Sequence, residues 1–385
     1  MIPLSVPNFE GNEEKYVLDA VSQGWVSTGG SYVAEMEETV AKYTGAAGAV
    51  ACQSGTAALH MSLIEAGVER DDMVLVPTLT FIAAVNPVKY LGATPVFMDC
   101  DDSLCVDPKK IRKFCEEECE LIDGVLKHKT TGKVVKALVV VHVFGNLADM
   151  EEIMSIAEEY HFQVIEDATE ALGTICEYSK YKGRYAGTIG HFGALSFNGN
   201  KIITTGGGGM IISNDEKALA HLKYLSTQCK DDPHFYIHNE IGFNYRMTNV
   251  QAAIGCAQME ELDTFIERKN KNYDLYVELL DGYEKGYVLK FRDNTRSNKW
   301  FYSFVLNKDL CPKGVRYYIE TLKERGIETR PIWGLISEQK PYADDIAYEV
   351  ETAKYYSERV INLPSSTNIT EDEIREVCKT LKEIL

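Results

Sequence analysis

Between about residues 50 and 215 short apolar runs alternate with helical patterns, and this alternation limits the chain to few architectures. "MVLVP" (73–77), "TPVFMD" (94–99) and "FQVIED" (162–167) read as strands. "VVKALVVVHVFG" (134–145) is a near-continuous β-branched run, as expected of a strand buried on both faces. Between them, "AAVNPVKYLGA" (83–93) reads as a helix started or broken near Pro87. "DMEEIMSIAEEY" places Ile153, Ile156, Ala157 and Tyr160 on one helical face, with Asp149 and Glu152 suited to a capped start. The pattern predicts an α/β fold with a mostly parallel sheet and helices on both sides. Residues 117–136, "EECELIDGVLKHKTTGKVVK", read as a surface hairpin or loop inserted ahead of a sheet strand.

After about residue 245 the period changes. A long helix is expected from "TNVQAAIGCAQMEELDTFIERKNKNYDLYVELLDGY", with Thr248 and Gln251 as its capping box. Strand-like pieces such as "KWFYSFVL" and shorter helices follow. With no Gly/Ser-rich linker in between, the helix itself is expected to join two domains, residues 1–250 and 251–385, the second a smaller α+β unit. A chain of 385 residues can give both a buried core.

The formal net charge of −18 argues against nucleic acid and against an anionic membrane surface, since both need clustered Lys and Arg. An anionic small molecule is compatible with it if the pocket supplies local positive potential. The ten cysteines show no paired framework. Cys100, Cys105, Cys115 and Cys119 come nearest to a cluster, but they lack C-x-x-C spacing, and the last two fall in an acidic helical stretch, "KFCEEECE". Reduced thiols are the expectation. The N-terminus lacks a signal-peptide pattern, and no apolar run reaches the length of a membrane span, so a cytoplasmic protein is expected.

Three stretches carry candidate chemistry, each with an ordinary structural alternative. In "CQSGTAALHMSLIEAG" (52–67), Ser54, Gly55 and Thr56 stand where an extended piece enters a helix; they can cap that helix or hold an anion. In "VIEDATEALGT" (164–174), Glu166, Asp167 and Glu170 follow a buried strand, where open α/β sheets bind ligands, or they simply cap the next turn. In "ALSFNGNKIITTGGGGMII" (194–212), Lys201 precedes four glycines, Gly206 to Gly209. It is either a solvated surface charge or an amine able to form a Schiff base with an aldehyde. Together, an anion hole, an acid and a lysine are what pyridoxal 5'-phosphate needs: a seat for the phosphate, a partner for the ring nitrogen and an amine to carry it. His234 and His238 in "DDPHFYIH" have the spacing of helical metal ligands, but Pro233 and the aromatics fit a substrate-facing loop better, and no metal is expected. His142 reads as a core histidine.

The segments 55–60, 77–99, 164–173, 195–211, 242–262 and 328–333 resemble the DegT/DnrJ/StrS-type sugar aminotransferases nearly end to end. The resemblance implies the aspartate-aminotransferase-like fold, pyridoxal phosphate and transamination. Matched by position, it implies that Lys201 carries the cofactor, Asp167 pairs with the pyridine nitrogen, and Gly55, Thr56 and Ser196 bind the phosphate. Phe81 would stack on the ring. Asn244 would reach the cofactor phosphate of a neighbouring subunit, which implies a homodimer with shared active sites. Glu170 stands where many members have Gln or His and is placed in the site. Residues 198–200 are Asn-Gly-Asn where an apolar spacer is common, and His191 replaces an acid. Substrate contacts are assigned to Thr28 and Gly29 in "WVSTGG", to Asn200, and to Arg246 and Arg330 as partners of a diphosphate.

A related dehydratase branch has histidine in place of this lysine, so Lys201 favours transamination. The chain is most similar to the branch of the legionaminic-acid and bacillosamine pathways, which makes 4-amino-4,6-dideoxy sugars. This implies a UDP- or GDP-linked 2-acetamido-4-keto-2,4,6-trideoxyhexose as acceptor and L-glutamate as donor. A perosamine-type or other keto-sugar substrate is the alternative, and a non-catalytic homologue would have tolerated loss of Lys201.

Overall fold

The computed structural model describes residues 1–385. Seven strands of its main sheet come first in the chain: β1 (Gly48–Cys52), β2 (Met73–Pro77), β3 (Thr94–Met98), β4 (Val135–Val141), β5 (Gln163–Asp167), β6 (Phe192–Ser196) and β7 (Gly209–Ser213). Then come β8 (Gly286–Val288), β9 (Tyr302–Leu306), β10 (Arg330–Pro331), β11 (Ile346–Tyr348) and β12 (Val360–Leu363). The main sheet runs β1-β7-β6-β5-β4-β2-β3-β11. All pairings are parallel except those of β7, which is antiparallel to both β1 and β6. The exception has a local cause. Parallel neighbours need a long crossover, usually a helix, whereas β6 and β7 are joined by residues 197–208 with no helix between them. That connection carries Lys201.

β2 is buried at every position and β4 at all but one, so both faces of the sheet centre are covered, in line with their unbroken apolar sequence. The β-branched run is shorter than expected. It leaves the sheet after Val141 and turns through Val143–Gly145, with Phe144 at φ 56°. Residues 83–93 form a short turn, Ile82–Ala84, and a short helix, Asn86–Tyr90, with Pro87 in its first turn, where a missing N–H costs nothing. Cys115 is helical but Cys119 is not: the helix ends at Glu118, and Cys119 opens the antiparallel hairpin Cys119–Ile122 and Val125–His128. All ten cysteines are free and buried. No helix is long and apolar enough to cross a membrane.

The helix Asn249–Leu280 carries the expected capping box of Thr248 and Gln251. It passes between two hydrophobic cores. Residues from Ala252 to Ile266 belong to the large one of 91 buried residues, and Tyr273, Tyr276 and Leu280 to a second of 17. The second core lies against the sheet β8-β9-β12-β10. The chain then returns: Trp300, Phe301, Ile332, Leu335 and Ile336 pack into the large core, and β11 extends the main sheet beside β3. These returning residues cover the C-terminal ends of the sheet strands.

Candidate active site

Strand alternation sorts the two acids at the end of β5 onto opposite sides. Glu166 is fully buried. It accepts hydrogen bonds from the amides of Gly187, Ile189 and Gly190 and lies 2.7 Å from His142 Nε2. His142 Nδ1 accepts the Ala148 amide, so this histidine is satisfied in the core, as expected. Asp167 faces the other way, into a cavity of about 690 Å³. Gly55, Thr56, Phe81, Glu170, Ser196, Asn200, Lys201 and Arg330 line the same cavity.

The cavity floor is built by close approach. Ser54 caps the helix Gly55–Glu65 by accepting the Ala57 amide at 3.1 Å. The amides of Gly55 and Thr56 are then left as open donors at the positive end of the helix. A Cβ on Gly55 would stand 2.9 Å from Ser196 Cβ and 3.0 Å from Thr169 Cγ2. Glycine therefore lets the helix start close on Ser196, and the cradle of two amides and two hydroxyls fits a phosphate. We expect Gly55→Ala to push this cradle apart and weaken cofactor affinity about 10-fold, read by absorbance titration with pyridoxal phosphate. Behind the cradle, the glycine run allows a turn and a close backbone approach. Gly208 has φ 134°, and a Cβ on Gly209 would fall 2.4 Å from the Ser54 carbonyl carbon.

Asp167 accepts the Thr169 amide at 3.1 Å and is otherwise open to the cavity. Burial lifts its carboxyl above the ordinary aspartate range, and a cation in the cavity would reverse that. The carboxylate is thus suited to pairing with a protonated ring nitrogen. Lys201 is held across from it, with Nζ 3.5 Å from Glu170 Oε1 and 4.3 Å from the centre of the Trp300 ring. Burial raises Glu170 from 4.5 to about 7, against the pull of Lys201 and of the Phe144 amide, which donates to it at 2.9 Å. Phe81 is 56% exposed at the cavity wall, the position of an apolar face with no protein partner. These residues fit pyridoxal phosphate.

Glu170 gives a stability prediction with a definite sign. A carboxyl raised on folding binds its proton more tightly in the folded state. The cofactor-free protein therefore loses stability as pH rises from about 4.5 to about 7, and Glu170→Gln does not. Denaturant unfolding at pH 5 and pH 8 should show the variant gaining about 1–3 kcal/mol on the parent over that interval.

Four assigned residues lie outside this cavity. Gly29 is exposed beside Trp25, and Thr28 is half-buried in the same segment, which Asn249 ties down through the carbonyls of Trp25 and Ser27. Asn244 is exposed and bridges to Thr227. Arg246 lies 3.7 Å from Glu37, and its buried Nε has no partner. His234 and His238 sit on an exposed hairpin rather than a helix. His191 Nδ1 accepts the Val164 amide.

Sequence reasoning missed Trp300, Trp333, Phe144 and Asn298. Trp300, Trp333 and Phe144 line the cavity. Asn298 donates to the carbonyls of Glu170 and Leu172 and accepts the Trp300 amide, locking Trp300 in place. For Trp300 and Asn298 the only signal was the polar-aromatic "SNKW" ahead of a strand, and nothing in it points to a site in the other half of the chain.

The DegT/DnrJ/EryC1/StrS aminotransferase family model matches residues 7–382. EpsN of Bacillus subtilis is 36% identical over 99% of this chain and 95% of its own. The GDP-perosamine synthase of Caulobacter vibrioides is 35% identical over 100% of this chain and 98% of its own. Among solved structures, DesI in the presence of its TDP-sugar product is 25% identical, covers 99% of this chain and 92% of its own, and superposes with a TM-score of 0.88. The chain belongs to the DegT/DnrJ/EryC1/StrS family and is a pyridoxal phosphate-dependent sugar aminotransferase of the aspartate-aminotransferase-like fold.

Proposed function

We propose that the protein moves an amino group from L-glutamate to C4 of a nucleotide-linked 4-keto sugar, a UDP- or GDP-linked 2-acetamido-4-keto-2,4,6-trideoxyhexose. The observation that carries this reading is the meeting of Lys201, Asp167 and the Gly55 helix start on one cavity. Pyridoxal phosphate, when bound, supplies an electron sink beside the carbon that loses its proton. The Gly55 and Thr56 amides and the Ser196 hydroxyl would hold its phosphate, Asp167 would pair with its ring nitrogen and Phe81 would cover a ring face. Lys201 Nζ takes the proton from the donor Cα and later delivers one to sugar C4. Glu170, with Oε1 3.5 Å from Nζ, stands next to that proton's path. Asn200 and Arg330, on the cavity wall, are assigned to the substrate.

The likeness to GDP-perosamine synthases favours a second reading, a GDP-linked sugar with a hydroxyl at C2. Both readings place the new amine at C4. The test is to supply each 4-keto sugar to the protein with L-glutamate and identify the product by mass spectrometry. An aminated UDP-linked acetamido sugar supports the first reading. An aminated GDP-linked sugar alone replaces it with the second, and no product from either overturns both.

The two cores support a cofactor-binding domain that runs past residue 250 along the long helix to about Ile266, and a smaller domain after it, with Trp300, Phe301 and residues from Ile332 to Val360 returning to the first. Asn244, exposed outside its own cavity, and the exposed Trp25, Val26, Phe235, Tyr236 and Ile241 support a homodimer with shared sites. Ten buried free thiols support a reducing, cytoplasmic setting. Thr28, Gly29 and Arg246 fit this picture as contacts made at the subunit boundary.

A further inference from the structure

The long helix buries a lysine that the reaction does not use. Lys269 is 2% exposed. Its Nζ donates to two backbone carbonyls, that of Trp300 at 2.7 Å and that of Ser365, and to no carboxylate. Tyr302 closes the other end by donating to the Lys269 carbonyl at 2.9 Å, with its ring 5.4 Å from Nζ. Burial without a counter-charge pulls this ammonium down to about 7. Removing a cation from water and leaving it unpaired by any acid is costly. A methionine could fill the space, so the donor must hold something that a methionine would release.

What it holds is the backbone of Trp300, whose side chain reaches the catalytic lysine by two routes. The indole Nε1 donates to the Asn200 carbonyl at 2.8 Å, fixing the residue next to Lys201. The ring centre lies 4.3 Å from Lys201 Nζ. Lys201 and Lys269 also border one small cavity of about 10 Å³, room for a single water, closed by residues 5–8 and 365–367.

We infer that Lys269 is a positioning residue for Lys201, acting through Trp300: its ammonium pins the Trp300 carbonyl, so that the indole fixes the Asn200–Lys201 backbone and sets its ring against Nζ. The inference rests on Lys201 carrying the cofactor. An aromatic face favours the charged form of an amine set against it. The charged groups around Lys201 are Glu170 and Asp167, which also favour that form, and Arg330 on the far wall. Loss of the ring should therefore move the pH midpoint of the cofactor band down. Direct loss of the Lys269 charge would raise it. The two causes have opposite signs.

The experiment is a pH titration of the visible cofactor band in the loaded parent, Trp300→Leu, Lys269→Met and the double variant, together with kcat and KM. The midpoint is expected to fall by about 0.5–1 pH unit in both single variants. The double variant should fall no further than Trp300→Leu, because both act through one ring. Turnover should fall about 10-fold in Lys269→Met with KM for the sugar unchanged. If Lys269→Met does not fold, Lys269→Gln, whose shorter side chain ends in an uncharged amide NH2 donor, carries the same prediction at smaller size. An unchanged or raised midpoint in the folded variant overturns the inference while leaving the reading of Lys201 intact. A parent that forms no visible band with pyridoxal phosphate sinks that reading, and the inference with it.

Discussion

Lys201→Ala should be folded, cofactor-binding and inactive. Turnover is expected to fall at least about 10³-fold, because one side chain both carries the cofactor and moves the proton. The fold should not notice. The lysine is in a loop between β6 and β7, its one acid partner is Glu170 at 3.5 Å, and Glu170 keeps the Phe144 amide when the lysine is gone. The phosphate cradle and Asp167 are untouched, so pyridoxal phosphate should bind more weakly and reversibly. Dialysis would then strip it from the variant and not from the parent. A variant retaining even a tenth of parental turnover would mean that another amine does this work.

Asp167→Asn should separate holding the ring from tuning it. The amide is isosteric and its oxygen can still accept the Thr169 amide, so folding survives. It cannot offer a negative charge to a protonated ring nitrogen. We expect a loss of about 10²–10³-fold in kcat, the size found when one preorganised electrostatic contact is removed. Stability should move oppositely in the two forms. Burial raises the Asp167 carboxyl in the cofactor-free protein, so ionised Asp167 costs stability near neutral pH and asparagine relieves it. With cofactor bound, the parent has a charge pair that the variant lacks. The gain in Tm on adding pyridoxal phosphate should therefore be smaller in Asp167→Asn than in the parent. An equal gain would place the ring nitrogen elsewhere.

The parts of this site that could be read from sequence share one property: their chemistry is local. A capped helix start after an extended run, an acid closing a buried strand and a lysine ahead of glycines each announce themselves within a few residues, and β1, β5 and β6 bring them to the same end of the sheet. Glu166 shows the limit. It sits next to Asp167 and has the same chemistry, but the pleat turns it to the other face, where His142 and three amides consume it. The break after Val141 was hidden because an apolar run does not say where the chain leaves the sheet. Trp300, Asn298 and Lys269 were invisible for a different reason. They act across the fold, Trp300 and Asn298 on carbonyls 100 and 128 residues away and Lys269 on the Trp300 carbonyl, and any residue could supply those carbonyls, so no residue pattern marks them.

The most direct test of the central claim is the visible spectrum of the protein loaded with pyridoxal phosphate, before and after adding L-glutamate, with Lys201→Ala beside it. The account predicts a band in the parent that bleaches with L-glutamate and does not form in the variant. A parent without the band, or a variant with the same band and the same bleaching, would contradict it.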